Sequence, residues 1–149
     1  MTRTAARQLA LQLCFAANAG SDLAPEEFFS EEYFSSLPKD ESLGAEMPDE
    51  AQQEYICAVV NGVREHLEEL DGIISRYSRG WKISRISKTA LNVLRCAVFE
   101  ILYMPDIPAA ASINEAVELA KCYDEPETVS FINGILGSVV RAGSDDGEK

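Results

Sequence analysis

The 149-residue sequence predicts an all-α protein, on three observations. Apolar residues recur at spacings of three and four, and the alternation of β-branched residues that marks strands is absent. Proline and glycine fall at the ends of the periodic segments, where helices start and stop. The hydrophobic content of 46% is that of a packed globular chain, and a chain this long buries roughly two thirds of its unfolded surface.

In chain order the periodicity predicts helices over 3–18, 25–37, 48–78, 83–103, 112–123 and 126–141. The third is long enough to break, near Gly62 or Gly72. Gly20 stands where the first helix stops, and Pro25 occupies a first-turn position of the second. "PKDESLGAEMP" (38–48) is polar and proline-bounded, and reads as a surface loop. Gly80 marks the stop after 48–78. The helix at 83–103 reads as the centre of the fold. Ile86, Ala90, Val93, Leu94, Ala97 and Ile101 form one stripe, and Val98, Phe99, Leu102 and Tyr103 extend apolar surface round the axis. Arg95 and Glu100 interrupt it and are expected to be paired or hydrogen-bonded, since an unpaired buried charge is costly. Ser112-Ile-Asn-Glu115 has the form of a capping box, which gives Glu115 a structural role. Pro126 opens the last helix, whose core arc is Val129, Ile132, Leu136, Val139 and Val140.

Phe131 lies on the shoulder of that arc, with Gly134 and Ser138 near it. Two readings stand side by side. The ring packs on a neighbouring element, or it is an exposed platform for a nucleic-acid base, worth ~1–3 kcal/mol per base. Gly134 and Gly137 inside a helix suggest close approach by another backbone or a ligand.

Charge is distributed unevenly. Thirteen Lys and Arg against twenty-five Asp and Glu give −12, but residues 1–21 hold two bases and no acid. Residues 22–54 hold eleven acids against Lys39 alone, and 55–149 hold ten bases and fourteen acids. Within 72–99, Arg76, Arg79, Lys82, Arg85, Lys88 and Arg95 occur without a single acid. A polyanion responds to the field within a Debye length of ~8–10 Å, so net charge alone does not exclude nucleic acid. Charge alone equally fits two solvated helix faces.

Other classes are poorly supported. Cys14, Cys57, Cys96 and Cys122 are scattered, and with His66 the single histidine the chain offers no metal-spaced cluster, so no metal and no cofactor are expected. Free thiols in a cytoplasmic protein are the simplest reading. No apolar run reaches a membrane span. Arg3, Arg7, the apolar run Leu9 to Ala16 and Ala17-Asn18-Ala19 imitate a signal peptide. Gln8 and Gln12 interrupt that run, and cleavage would leave three cysteines, so export is not expected. His66 among Glu65, Glu68 and Glu69 lacks any accompanying nucleophile elbow or phosphate loop, and the chain is not expected to be an enzyme.

Several segments carry a family likeness: "ARQLALQLCF" (6–15), "WKISRIS" (81–87), "VLRCAVFEIL" (93–102), "IP" (107–108), "INEAVELAK" (113–121) and "FINGIL" (131–136). In this order and spacing the chain resembles the NusB family of bacterial transcription antitermination factors, over almost its whole length. A further domain is not expected, which disfavours the rRNA methyltransferases that carry a NusB-like N-terminal domain.

The resemblance implies a compact bundle of about seven helices in two subdomains, with one domain over 1–141 and a flexible acidic tail at 142–149. It implies binding to the boxA RNA of nascent ribosomal RNA transcripts together with the ribosomal small-subunit protein NusE. The elongating RNA polymerase complex with other Nus factors would be the wider partner. Carried over residue by residue, Arg3 and Arg7 fall on the arginine-rich N-terminal motif, and Gln12 on the glutamine of the same helix. Phe15 takes a position usually aromatic, Tyr77 matches a tyrosine near the end of the third helix, and Phe131 matches a phenylalanine that stacks on RNA. The chain departs from the pattern at Thr4, Ala5 and Ala6, where some relatives have a run of arginines. Each lost phosphate contact removes counterion release, so weak, salt-sensitive binding to RNA alone is expected, with greater reliance on the partner. The alternative is a protein-interaction module that binds the ribosomal partner with little intrinsic RNA affinity, using "PAAAS" (108–112) and the basic stretch 76–88.

Overall fold

The structure, a computed structural model, describes residues 2–18, 24–29, 47–78 and 85–147. Among these residues there are six α-helices, one short 3-10 turn and no strand. The all-α expectation therefore holds. The helix expected over 25–37 begins instead as a 3-10 turn, Pro25–Phe28, that stops at non-helical Phe29. Residues 30–37, most of the loop at 38–48, the stops at Gly20 and Gly80, and Arg79 and Lys82 lie outside the described residues. The chain divides into two compact units, 1–65 and 66–149.

The first unit contains α1 (Arg3–Asn18), the 3-10 turn Pro25–Phe28 and α2 (Glu50–Glu65). Helix α2 packs against both α1 and the turn. Thr2 caps α1, its hydroxyl accepting from the Ala5 N–H at 3.0 Å. The next helix start is a capping box: the Asp49 carboxylate accepts from the Gln52 N–H at 2.8 Å, and the Gln52 side chain accepts from the Asp49 N–H at 3.0 Å. Ala6, Leu9, Ala10, Leu13 and Cys14 of α1 and Ile56, Val59, Val60 and Val63 of α2 are buried, the three-and-four spacing of two helices sharing a core. Pro25 sits in the first turn of its short helix, as the sequence predicts.

The second unit contains α3 (Leu67–Tyr77), α4 (Lys88–Tyr103), α5 (Ala109–Tyr123) and α6 (Pro126–Gly147). Helix α4 packs on all three others, and α6 also contacts α3 and α5. Nine of the ten residues between Ala90 and Phe99 are buried, Cys96 being partly open, which makes α4 the centre of this unit. Its last turn departs from the expectation, because Leu102 and Tyr103 are exposed. Both expected polar exceptions are satisfied. Arg95 donates to both carboxylate oxygens of Asp71 on α3, at 2.7 and 2.8 Å. Buried Glu100 accepts from the Ser112 hydroxyl on α5 at 3.2 Å.

Four boundaries differ from the sequence reading. The break in 48–78 falls at His66, not at Gly62 or Gly72, both of which lie inside helices. Isolated glycines cost a helix only about 1 kcal/mol, so packing overrides them. The helix expected from 83 begins at Lys88, because the Ser87 hydroxyl accepts from the Ala90 N–H at 3.1 Å and caps it there. Helix α5 begins at Ala109 rather than 112, with the Ala111 and Ser112 N–H groups bonded to the Pro108 carbonyl. The capping box at Ser112 and Glu115 is thereby overturned: Ser112 is buried inside the helix, turned toward α4. Helix α6 continues past 141 to Gly147, into the segment expected as an acidic tail. Its buried arc gains Ile135, while Val129 and Val140 are only half-buried.

Candidate nucleic-acid interface

The five residues proposed for RNA binding divide between the units: Arg3, Arg7 and Gln12 in the first, Tyr77 and Phe131 in the second. On α1 the core side is taken by alanine, leucine and Cys14, which turns the polar side chains outward. Arg3 and Gln12 are exposed, and Arg7 is half-buried because its guanidinium lies over the ring of Tyr55 on α2, 5.7 Å from the centroid. That cation–π contact holds Arg7 in place. Arg3 and Arg7 are one turn apart and share a face. Gln12 stands about 140° round the axis from Arg7. Exposed Phe15 lies between them on the wheel, but so does buried Leu11, so Arg3 and Arg7 do not form one continuous surface stripe with Gln12.

In the second unit, α3 and α6 bring Tyr77 and Phe131 to one cavity of about 250 Å³. Ser78, Gly134, Ile135, Ser138 and Arg141 complete its lining. Phe131 is half-buried at the edge of the core arc, so packing and exposure coexist in one side chain. Tyr77 is also half-buried, and the Arg76 guanidinium sits 5.7 Å from its ring centroid. Gly134 is not crowded by another backbone: a methyl group there would meet nothing within 4 Å. At Gly137 the nearest atom is the Arg141 Nη1, at 3.3 Å from such a methyl group. The close approach expected from these glycines is thus made by one side chain of the same helix.

Arg141 is the residue that sequence reasoning missed. Its guanidinium folds back over Gly137 and donates to the Ser138 hydroxyl at 3.2 Å, and that hydroxyl donates to the Gly134 carbonyl at 3.0 Å. The signal was present in the spacing. Phe131, Gly134, Ser138 and Arg141 follow at steps of three, four and three, one helix face.

His66, the residue any catalytic reading needs, is engaged elsewhere. Its ring stacks on Tyr103 with centroids 4.5 Å apart, and Tyr103 stacks in turn on Phe99. The Tyr103 hydroxyl donates to Glu69. That bond, with burial and the Glu69 charge behind it, holds the phenol pKa above its ordinary value. The cluster ties α3 to the end of α4. All four cysteines are free thiols, and no group of three metal-ligating side chains forms among the described residues. No helix among them is long and apolar enough to cross a membrane.

The NusB family model matches residues 4–141. The transcription antitermination protein NusB of Acetivibrio thermocellus is 43% identical, the alignment covering 95% of this chain and 90% of that protein. The NusB protein of Alkaliphilus oremlandii is 40% identical, with 94% of each chain covered. Among solved structures, T. maritima NusB superposes with a TM-score of 0.75 at 30% identity, covering 95% of this chain and 92% of that one.

Proposed function

The chain belongs to the NusB family of transcription antitermination proteins, and from that premise we propose that it acts without catalysis, in the cytoplasm, by binding boxA RNA of nascent ribosomal RNA transcripts together with the ribosomal protein NusE. In this reading the pair of proteins joins the elongating RNA polymerase with other Nus factors. Arg3 and Arg7 take backbone phosphates, Gln12 offers a hydrogen-bonding amide, and Tyr77 and Phe131 supply the aromatic surface for an unpaired base.

The observation that carries this reading is the cavity in the second unit, where two aromatic rings meet a guanidinium. Single-stranded nucleic acid is bound by that combination, stacking for the bases and cations for the backbone. The α1 arginines add the sequence-independent, salt-dependent share.

Binding of boxA-like RNA across a salt series, with and without NusE, tests it on wild type, Arg7→Ala and Phe131→Ala. Arg7→Ala is expected to flatten the plot of log affinity against log salt by about 0.7, the share of one phosphate on a single strand. Phe131→Ala is expected to cost about 1–3 kcal/mol with the slope unchanged. If neither substitution weakens the ternary complex, the RNA site is wrong, and the chain is an interaction module for the ribosomal partner.

A further inference from the structure

We infer that Arg141 is a phosphate-binding residue, and that the cavity of the second unit seats one nucleotide of a single strand: its base lies on Phe131, and a neighbouring backbone phosphate meets the guanidinium. This rests on the RNA reading above and adds to it a cation that the family resemblance did not supply.

Three observations carry it. First, Arg141 lines the same cavity as Phe131, although ten residues, about 15 Å of helix, separate their backbones. Only a side chain reaching back along the helix achieves that. The bond from Arg141 to Ser138 and its position over Gly137 fix that backward reach. Second, the Arg141 guanidinium donates to Ser138 through Nη2, a guanidinium has five donors, and the residue is exposed while lining the cavity. Planar, forked donors of this kind suit a phosphate. Third, the residues between Phe131 and Arg141 leave room. Gly134 would admit a methyl group without touching anything within 4 Å, and Gly137 is where the guanidinium crosses the helix. A Cβ at Gly137 would fall 3.3 Å from Nη1, so the guanidinium would have to give by a few tenths of an ångström to make room for it. The glycine therefore lets the arginine lie flat beside the cavity.

The cavity of about 250 Å³ is just below the usual range for small-ligand sites, and fits one nucleotide fragment rather than a folded element of a partner. Its lining is mixed, with aromatic and aliphatic surface from Tyr77, Phe131 and Ile135 and hydroxyls from Ser78 and Ser138. That composition matches a base with its sugar better than it matches an apolar peptide side chain.

The test uses the full chain and a single-stranded boxA-like RNA, with affinity measured from 50 to 300 mM salt. Arg141→Ala is expected to lower the salt slope by about 0.7 and to weaken binding about four-fold at 0.15 M, the worth of one released counterion at that slope. The loss should be equal for RNAs of different sequence, because a phosphate contact carries no sequence information. Gly134→Leu fills the cavity and is expected to weaken binding as much as Phe131→Ala, with the slope unaltered and thermal stability undiminished. If Phe131→Ala weakens binding while Arg141→Ala leaves slope and affinity unchanged, the role of Arg141 is refuted and the RNA reading stands. If Arg7→Ala and Phe131→Ala are both silent, the RNA reading itself fails. If Arg141→Ala spares RNA and weakens only the contact with the ribosomal protein, the cavity is a protein contact and the inference is overturned.

Discussion

At the scale of single residues, the structure separates thiols that the sequence shows only as scattered. Cys122 is exposed, Cys14 is buried, and Cys57 lies partly buried on α2 facing the 3-10 turn. Burial pushes the Cys57 thiol up to about 11, helped by the Glu26 charge and by a hydrogen bond to Glu26. An acid raised in the folded state keeps its proton longer than in the unfolded chain. Its stabilising share is complete below the ordinary value of 9.0 and disappears as pH climbs toward 11. The thiolate is the reactive form, so iodoacetamide at pH 8 should modify Cys122 first and Cys57 far more slowly. Glu26→Gln should speed the Cys57 reaction without bringing it level with Cys122, because burial, the larger cause, remains. Peptide mass spectrometry over a time course measures both rates. Equal rates for Cys57 and Cys122 in the wild type would contradict the assignment.

At the scale of helices, Ser87 illustrates what a cap decides. Its hydroxyl accepts from the Ala90 N–H and donates to the Asp124 carboxylate at 3.2 Å, so the start of α4 is tied to the α5–α6 connection. The other Asp124 oxygen is buried with no hydrogen-bond partner. Ser87→Ala thus removes a cap, typically worth about 1 kcal/mol, and strips the carboxylate of a donor as well. A total loss of about 2 kcal/mol is expected, read as a lower urea midpoint at unchanged m-value; a change under ~0.3 kcal/mol would show the cap to be idle. The same position explains how far the sequence could be read. Existence and type of the six α-helices followed from periodicity, because burial of one face enforces a spacing of three and four, whereas the segment from Pro25 forms only a 3-10 turn. Their ends did not. "SKTA" (87–90) and "SINE" (112–115) are both serine-led stretches, yet Ser87 caps a helix and Ser112 is buried within one. The difference lies in tertiary partners, Asp124 for one and Glu100 for the other, which no local window contains. Pro108 was the available clue, since a proline ahead of "AAAS" favours a helix starting directly after it.

At the scale of the whole molecule, the proposed RNA partner has to be reconciled with a net charge of −12. The basic side chains that the structure describes answer in different ways. Arg95 is committed to Asp71, and Lys121 to Glu118. Arg3 is exposed, Arg7 is held on Tyr55, and Arg141 stands at the aromatic cavity. The sequence singled out Arg3 and Arg7 through family position, and Phe131 through its place off the core arc. Arg141 escaped because the backward reach of its side chain depends on Ser138 and Gly137, not on proximity in the chain. The phosphate contacts proposed for Arg3, Arg7 and Arg141 predict a definite salt response. At about 0.7 per phosphate on a single strand, the slope of log affinity against log salt should be near −2. Between 50 and 200 mM salt the RNA affinity should then fall about 20-fold, well short of the 10³–10⁵ lost by binders with 6–10 contacts. Filter binding or fluorescence anisotropy over that range measures the slope directly. A slope near −4 would mean that further cations, Arg76, Arg85 and Lys88 first among them, also contact phosphate. A slope near zero would mean that any recognition of RNA by the protein alone is stacking, with the electrostatic share left to the proposed ribosomal partner.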